Sequence, residues 1–249
     1  MPTSPTRRQQ PVTAPTVLAF DCSGAACSVA VATRSDVDEL IVLAHREQVM
    51  QRGHAAALAP MIATTLTAAD VRAADLDLIA VTIGPGSFTG ARIGLATARG
   101  LALALDVPVA GLTTIDALLA GATAMSQEQS QPRHRRVLAA IDTHRGDYYV
   151  GFDGASELLV ADVTLIAIRA ATESVLVVGD GATSLCPALM QRGVDALPVP
   201  GPTAPDARVL ARLALRHDVE HWRVANRRDG MPRPLYLRPA DVTLPKAAG

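Results

Sequence analysis

The chain has 249 residues, a formal net charge of −1 and a 49% hydrophobic fraction, enough for one large or two small cores. That charge gives no general pull towards nucleic acid, and 3% aromatic residues is few for a protein that works by stacking on bases. Three cysteines, Cys22, Cys27 and Cys186, form no CxxC pair and leave an odd one, which fits a reducing cytoplasm.

Residues 1–15 are proline-rich and polar and lack the apolar centre of a signal peptide, so a disordered N-terminal extension is expected. No later run of about 18 apolar residues lacks polar or small punctuation, so no membrane span is expected. From Thr16, TVLAFD, a turn at Ser23 and Gly24, CSVAVA and IVLAHRE read as three consecutive strands. Gln51 to Leu66 predicts an amphipathic helix with Leu58, Met61, Ile62 and Leu66 on one face, kinked or started by Pro60.

LDLIAVTI then reads as a strand running into the turn Gly84-Pro85-Gly86, and Ser87 or Thr89 can cap the helix that follows to Leu105. Along that helix Gly94, Ala98 and Ala102 form one ridge and Ala96, Gly100 and Ala104 another, so other backbones can approach on two sides. Gly94 and Gly100 each cost roughly 1 kcal/mol relative to alanine in a helix interior, and close packing must offset that. PVAGLT adds a short strand.

The second half repeats the scheme. RRVLAAID, a turn at His144 to Gly146, DYYVGFDG and ELLVADV read as strands, with a short helix near Thr164 to Ala170. SVLVVGDG is a further strand, and helices follow near Thr183 to Arg192 and Pro205 to His217. VLAFDCSGAACSVAV and VLAAIDTHRGDYYVGF share the order strand, Asp, turn, strand, an internal duplication. Two such halves predict an α/β chain with an actin-like, duplicated ribonuclease-H-like fold: two lobes of mixed sheet flanked by helices. The first lobe would span 16–112 and the second 113–249, with the last helix and tail placed to pack back on the first.

The glycine turn before a helix suggests phosphate binding, yet Gly84, Gly86 and Gly90 follow GxGxxxG, one residue longer than the dinucleotide fingerprint. Ala91 stands where a Walker loop needs lysine, and the single lysine of the chain is Lys246. Pro85 replaces the first glycine of a GxSxG elbow around Ser87. A structural turn is the expectation.

GPGSFTGARIGLATARGLALAL, with LDLIAV before it and DVPVAGLTTIDALLA after it, resembles the bacterial TsaB (YeaZ) family. The order of VLAFDCSGAACSVAVA, HAAALAPMI and the terminal PLYLRP extends the likeness over nearly the whole chain. The resemblance implies a cytoplasmic, non-catalytic partner of the TsaD transferase in making threonylcarbamoyladenosine next to the tRNA anticodon, with a TsaE-type ATPase in the same complex. It implies no cofactor of the chain's own: nucleotide and metal are expected on TsaD, and tRNA contact only through the complex.

TsaD carries a metal-binding HxxxH after the equivalent of the small-residue helix, and laying GLTTIDALL on it puts Thr114 and Leu118 at the two histidines. Neither replaces an imidazole. In an actin-like fold a nucleotide lies between the lobes with Asp21 and Asp142 on its phosphates and metal. Here Ser23 is the only hydroxyl in the first turn, and both aspartates can equally bond their own turn amides, so these turns read as vestigial.

The partner surface is expected on the two N-terminal helices, packed against the matching pair of TsaD as a four-helix bundle. Its candidate residues are Leu58, Met61, Ile62 and Leu66 on the first helix, and Phe88, Thr89, Arg92, Ile93, Ala96, Arg99 and Gly100 on the second. Arg92 and Arg99 share an edge from which they can pair with acidic groups of a partner. The same surface left bare predicts a weak homodimer.

Two other classes stay open: an autonomous actin-like kinase or ATPase, suggested by fold alone, and a metallopeptidase using His217, Glu220 and His221 of HDVEH. Chance pairing of solvated histidines is the plainer reading of HDVEH. His54 resembles a position where TsaB and TsaD chains often carry histidine, and a capping or surface role is expected. The arginines Arg133, Arg135, Arg136, Arg223, Arg227 and Arg228 are read as solvated surface, with a tRNA backbone footprint as the alternative.

Overall fold

The computed structural model describes residues 14–238, apart from 36, 38, 129–135, 156, 171–173 and 200–202. The expected N-terminal extension lies outside the described residues except for 14 and 15, as do Arg133, Arg135 and Lys246.

The first half runs β1 (Val17–Asp21), β2 (Ala26–Arg34), β3 (Leu40–Val49), α1 (His54–Ala68), β4 (Leu78–Thr82), α2 (Phe88–Leu105), β5 (Val109–Leu112) and α3 (Thr114–Glu128). The second runs β6 (Arg136–Asp142), β7 (Tyr148–Phe152), β8 (Leu159–Ala161), α4 (Val163–Ala170), β9 (Val175–Val178), α5 (Ala182–Met190), β10 (Ala196–Pro198) and α6 (Ala207–Ala214). A last helix, α7 (Val219–Asp229), leads into an extended tail ending at Arg238.

The first sheet has the order β3-β2-β1-β4-β5. The second, read from its β8 edge, is β8-β7-β6-β9-β10, the same order with the same mixture of antiparallel and parallel pairs. In both sheets the first strand is central and apolar up to its terminal Asp, β6 opening with Arg136, because it is covered on both faces. The duplication extends to the helices, with α1, α2 and α3 matching α4, α5 and α6 in chain position.

The third helix of each half crosses to the other sheet. α3 packs on β6, β7 and β9, α6 packs on β1, β2 and β4, and the two helices touch each other. Four cores result. Leu18, Phe20, Val29, Val31, Ile79 and Val81 point to α1 and α2, while Val17, Ala19, Ala30, Leu78 and Ala80 point the opposite way to α6. The period of two along each strand divides its side chains between these faces. In the second sheet α4 and α5 cover one face and α3 the other.

Pro60 neither starts nor ends α1, which is continuous from His54 to Ala68. Thr64 turns its hydroxyl back to the Pro60 carbonyl at 3.0 Å. Helix α2 is capped by Ser87, whose Oγ accepts from the Gly90 amide at 3.1 Å, so Ser87 and not Thr89 is the cap. Among the described residues no helix is long and apolar enough to cross a membrane.

Candidate functional site

A cleft of about 1290 Å³ opens between the halves. Its first wall is the β1–β2 turn (Ser23, Gly24, Ala25), the turn Gly84 to Ser87 and the start of α1. Its second is Asp142, His144, Arg145 and Asp180, and the tail from Pro234 to Arg238 lies along it.

Asp21 stands beneath this cleft and is fully buried. Its Oδ1 accepts from the Ser23 amide at 3.0 Å, from Ser23 Oγ at 2.6 Å and from the Thr82 hydroxyl, while Oδ2 has no partner. Burial pushes its carboxyl above the ordinary value, and those hydrogen bonds offset the shift only in part. Asp142 Oδ1 accepts from the His144 amide at 2.7 Å. Both aspartates therefore bond their own turns. Thr114 and Leu118, the two positions laid on the HxxxH histidines, both line the cleft: Thr114 is buried with its hydroxyl 3.1 Å from Ser23 Oγ, and Leu118 also packs in the apolar core under α3.

Sequence reasoning missed Asp180. It follows β9 in the turn Gly179-Asp180-Gly181, the counterpart of Gly84-Pro85-Gly86 after β4, and the duplication was the signal that pointed to it. Asp180 Oδ1 accepts from the Asp142 amide at 3.0 Å, and burial holds its carboxyl above the usual range.

His54 departs from expectation. It is 7% exposed, is the first residue of α1 rather than its cap, and its Nε2 has no partner. His217 and His221 stack at 4.2 Å instead of converging on a common point, and Asp218 caps α7 by accepting from the His221 amide at 2.6 Å, which leaves His217 outside the helix. Among the described residues no group of three His, Cys, Asp or Glu side chains is arranged to hold a metal. Arg227 and Arg228 pair with Glu220 and Asp229, and Arg223 reaches Glu220 and the Asp106 carbonyl.

The helices α1 and α2 lie side by side over the first sheet. Leu58, Met61 and Ile62 correct the expected partner surface: they are 1%, 9% and 6% exposed and belong to the core under α1. A helix lying on a sheet turns its most apolar stripe inward. Leu66 and Ile93 are half-buried against the same core. The solvent side of α1 instead carries Ala55, Ala56, Ala59, Ala63 and Thr67.

On α2 the two ridges separate as their spacing predicts. Gly94, Ala98 and Ala102 are buried, whereas Ala96, Gly100 and Ala104 face solvent, and a Cβ built on Gly100 meets nothing within 4 Å. Phe88 and Thr89 are exposed at the start of the helix. Arg92 and Arg99 already have intramolecular partners. Arg92 lies 3.6 Å from the Phe88 ring centre and donates to the Tyr236 hydroxyl at 2.9 Å, and Arg99 donates to the Pro232 carbonyl. The tail they hold continues through a bond from the Leu235 amide to the Ile83 carbonyl and ends on an Arg238–Asp147 ion pair in the second half.

Two sheets of identical order, each with its closing helix exchanged and a cleft between them, define an actin-like protein built from two ribonuclease-H-like halves. The family model for TsaD, tRNA N6-adenosine threonylcarbamoyltransferase, matches residues 44–179. The TsaB protein of Escherichia coli is 36% identical over 133 residues, which is 53% of this chain and 52% of that protein. The TsaB protein of Bacillus subtilis is 31% identical over 153 residues, 59% of this chain and 60% of that one. The chain thus matches between about half and three fifths of the length of these curated relatives. The structure of YeaZ from Pseudomonas aeruginosa is similar with a TM-score of 0.67 and 28% identity, covering 90% of this chain and all of that one. The chain belongs to the TsaB (YeaZ) family, within the group that the TsaD family model describes.

Proposed function

We propose that this chain is a cytoplasmic, non-catalytic scaffold for the synthesis of threonylcarbamoyladenosine in tRNA, docking on a TsaD transferase through the solvent side of α1 and α2. The observation that carries this reading is Gly100. A glycine in the middle of a helix costs about 1 kcal/mol relative to alanine. Gly94 recovers that cost through its approach to the Val81 side chain, 3.3 Å from where a Cβ would stand, but among the described residues a Cβ on Gly100 would meet nothing within 4 Å. With Ala96, Ala104 and the alanines of α1 it forms a smooth surface on which a second helix pair can seat closely.

Thr114 and Leu118 support the non-catalytic part, since both line the cleft and neither offers an imidazole to a metal there. Nucleotide and metal then belong to TsaD, with a TsaE-type ATPase in the same assembly, and the bare α1–α2 face gives a weak homodimer when TsaD is missing. The test is incubation of the purified chain with threonylcarbamoyl-adenylate and unmodified tRNA, with and without TsaD. Modified nucleoside is expected only when TsaD is present, and robust turnover by the chain alone refutes the scaffold role.

A further inference from the structure

We propose that the outer face of α6 is a docking surface for the phosphate backbone of RNA. The inference rests on the reading of the chain as part of a tRNA-modifying assembly, and the site lies elsewhere than the α1–α2 face. Between residues 207 and 216 the exposed positions are Arg208, Arg212 and Arg216, with no exposed acidic, neutral polar or apolar side chain among them. Arg208 and Arg212 stand one turn apart on α6 and Arg216 follows in the turn that ends it, so like charges are gathered there and repel. Asp206 relieves Arg208 with a 2.7 Å ion pair. Among the described residues Arg212 and Arg216 have no anionic partner.

Arg72, Arg227 and Arg228, by comparison, each carry an acid within their own helix or turn. An unpaired guanidinium offers a planar fork of N–H donors that matches phosphate oxygens. α6 is itself held rigidly. Leu210, Ala211 and Ala214 are buried on the first sheet, and the Ala207 amide donates to Ser28 Oγ at 3.0 Å. The first sheet separates α6 from α1 and α2, so an RNA strand on these arginines leaves the small-residue face free for a protein. A lipid surface fits less well, because the exposed positions of 207–216 include no apolar side chain to insert.

The test is binding of unfractionated bacterial tRNA to the full chain between about 50 and 200 mM salt, for wild type and for Arg212→Ala/Arg216→Ala. The double variant should bind roughly tenfold more weakly at the low-salt end, with a slope of log K against log salt shallower by about 1.4–1.8, the loss of two phosphate contacts. Arg169→Ala/Arg192→Ala, an equal charge change on α4 and beyond α5, should stay within about twofold of wild type. Unchanged affinity, an equal loss in that control, no tRNA binding by wild type at low salt, or capture by phosphatidylglycerol vesicles in its place overturns the proposal. TsaD affinity is measured in parallel. If tRNA binding falls as expected while no variant or wild type binds TsaD, the scaffold reading fails and this one stands.

Discussion

Arg99 donates twice to the carbonyl oxygen of Pro232, through Nε at 3.1 Å and Nη2 at 2.6 Å. That contact ties the middle of α2 to the start of the tail, and Gly111 makes room for it, since a Cβ there would lie 2.6 Å from the proline Cβ. Replacing Arg99 with alanine removes a charged donor from a half-exposed site, for which a cost of about 1 kcal/mol is expected. The amide of Leu235, bonded to the Ile83 carbonyl, should then exchange its hydrogen faster while α1 amides keep their protection. Unchanged exchange at Leu235 would show that the tail is held without Arg99.

Leu58→Ala separates core from surface. With Leu58 buried between α1 and the first sheet, the substitution should cost about 2–5 kcal/mol in denaturant unfolding. A loss under about 0.5 kcal/mol, the value for an open surface site, would return Leu58 to the partner face.

Gly90 is a point of close backbone approach rather than a flexible turn residue. A Cβ there would stand 1.8 Å from the Cys22 carbonyl oxygen, and neither backbone can yield without moving β1 or α2. Gly90→Ala should therefore destabilise the chain by about 3 kcal/mol or more, although alanine is the better helix former. A melting temperature equal to wild type would contradict the packing.

Asp21 sets a pH dependence. Its folded carboxyl lies above its unfolded value, so between the two the folded chain binds more protons and stability falls as pH rises through that window, starting near pH 4. Asp21→Asn keeps an oxygen acceptor for Ser23 and Thr82 and removes the buried charge. The variant should lose less melting temperature than wild type between pH 4 and pH 8, and an equal loss would place the penalty on another group.

Much of the fold is legible in the residues. Short apolar runs bounded by Gly, Asp and Ser mark the strands of both halves, and the repeat of strand, Asp, turn, strand announces the duplication. Helix α3, the short β10 and α7 carry weaker signals: β10 is three residues long, and α7 is polar enough to read as solvated surface. The exchange of α3 and α6 between sheets has no local signature, because an amphipathic helix does not say which sheet it covers.

The candidate site was legible where small residues define it and illegible where large ones do. Gly94 and Gly100 divide by helical spacing alone into a buried and an exposed ridge. Leu58, Met61 and Ile62 form one apolar stripe that serves a core or a partner equally well on paper, and only the sheet beneath α1 decides. The tail contacts of Arg92 and Arg99 span more than 130 residues of sequence, beyond any pattern of spacing.

Whether the solvent side of α2 meets TsaD is decided by titration calorimetry of TsaD with wild type and Gly100→Leu. Open space around Gly100 lets the leucine fold in place, so the variant should be as stable as wild type or more so, by up to about 1 kcal/mol. Its bulk should hold the helix pairs apart and weaken TsaD binding by about 1–3 kcal/mol, roughly five- to 150-fold in Kd. A stable Gly100→Leu chain that binds TsaD with wild-type affinity would place the TsaD contact elsewhere on the molecule.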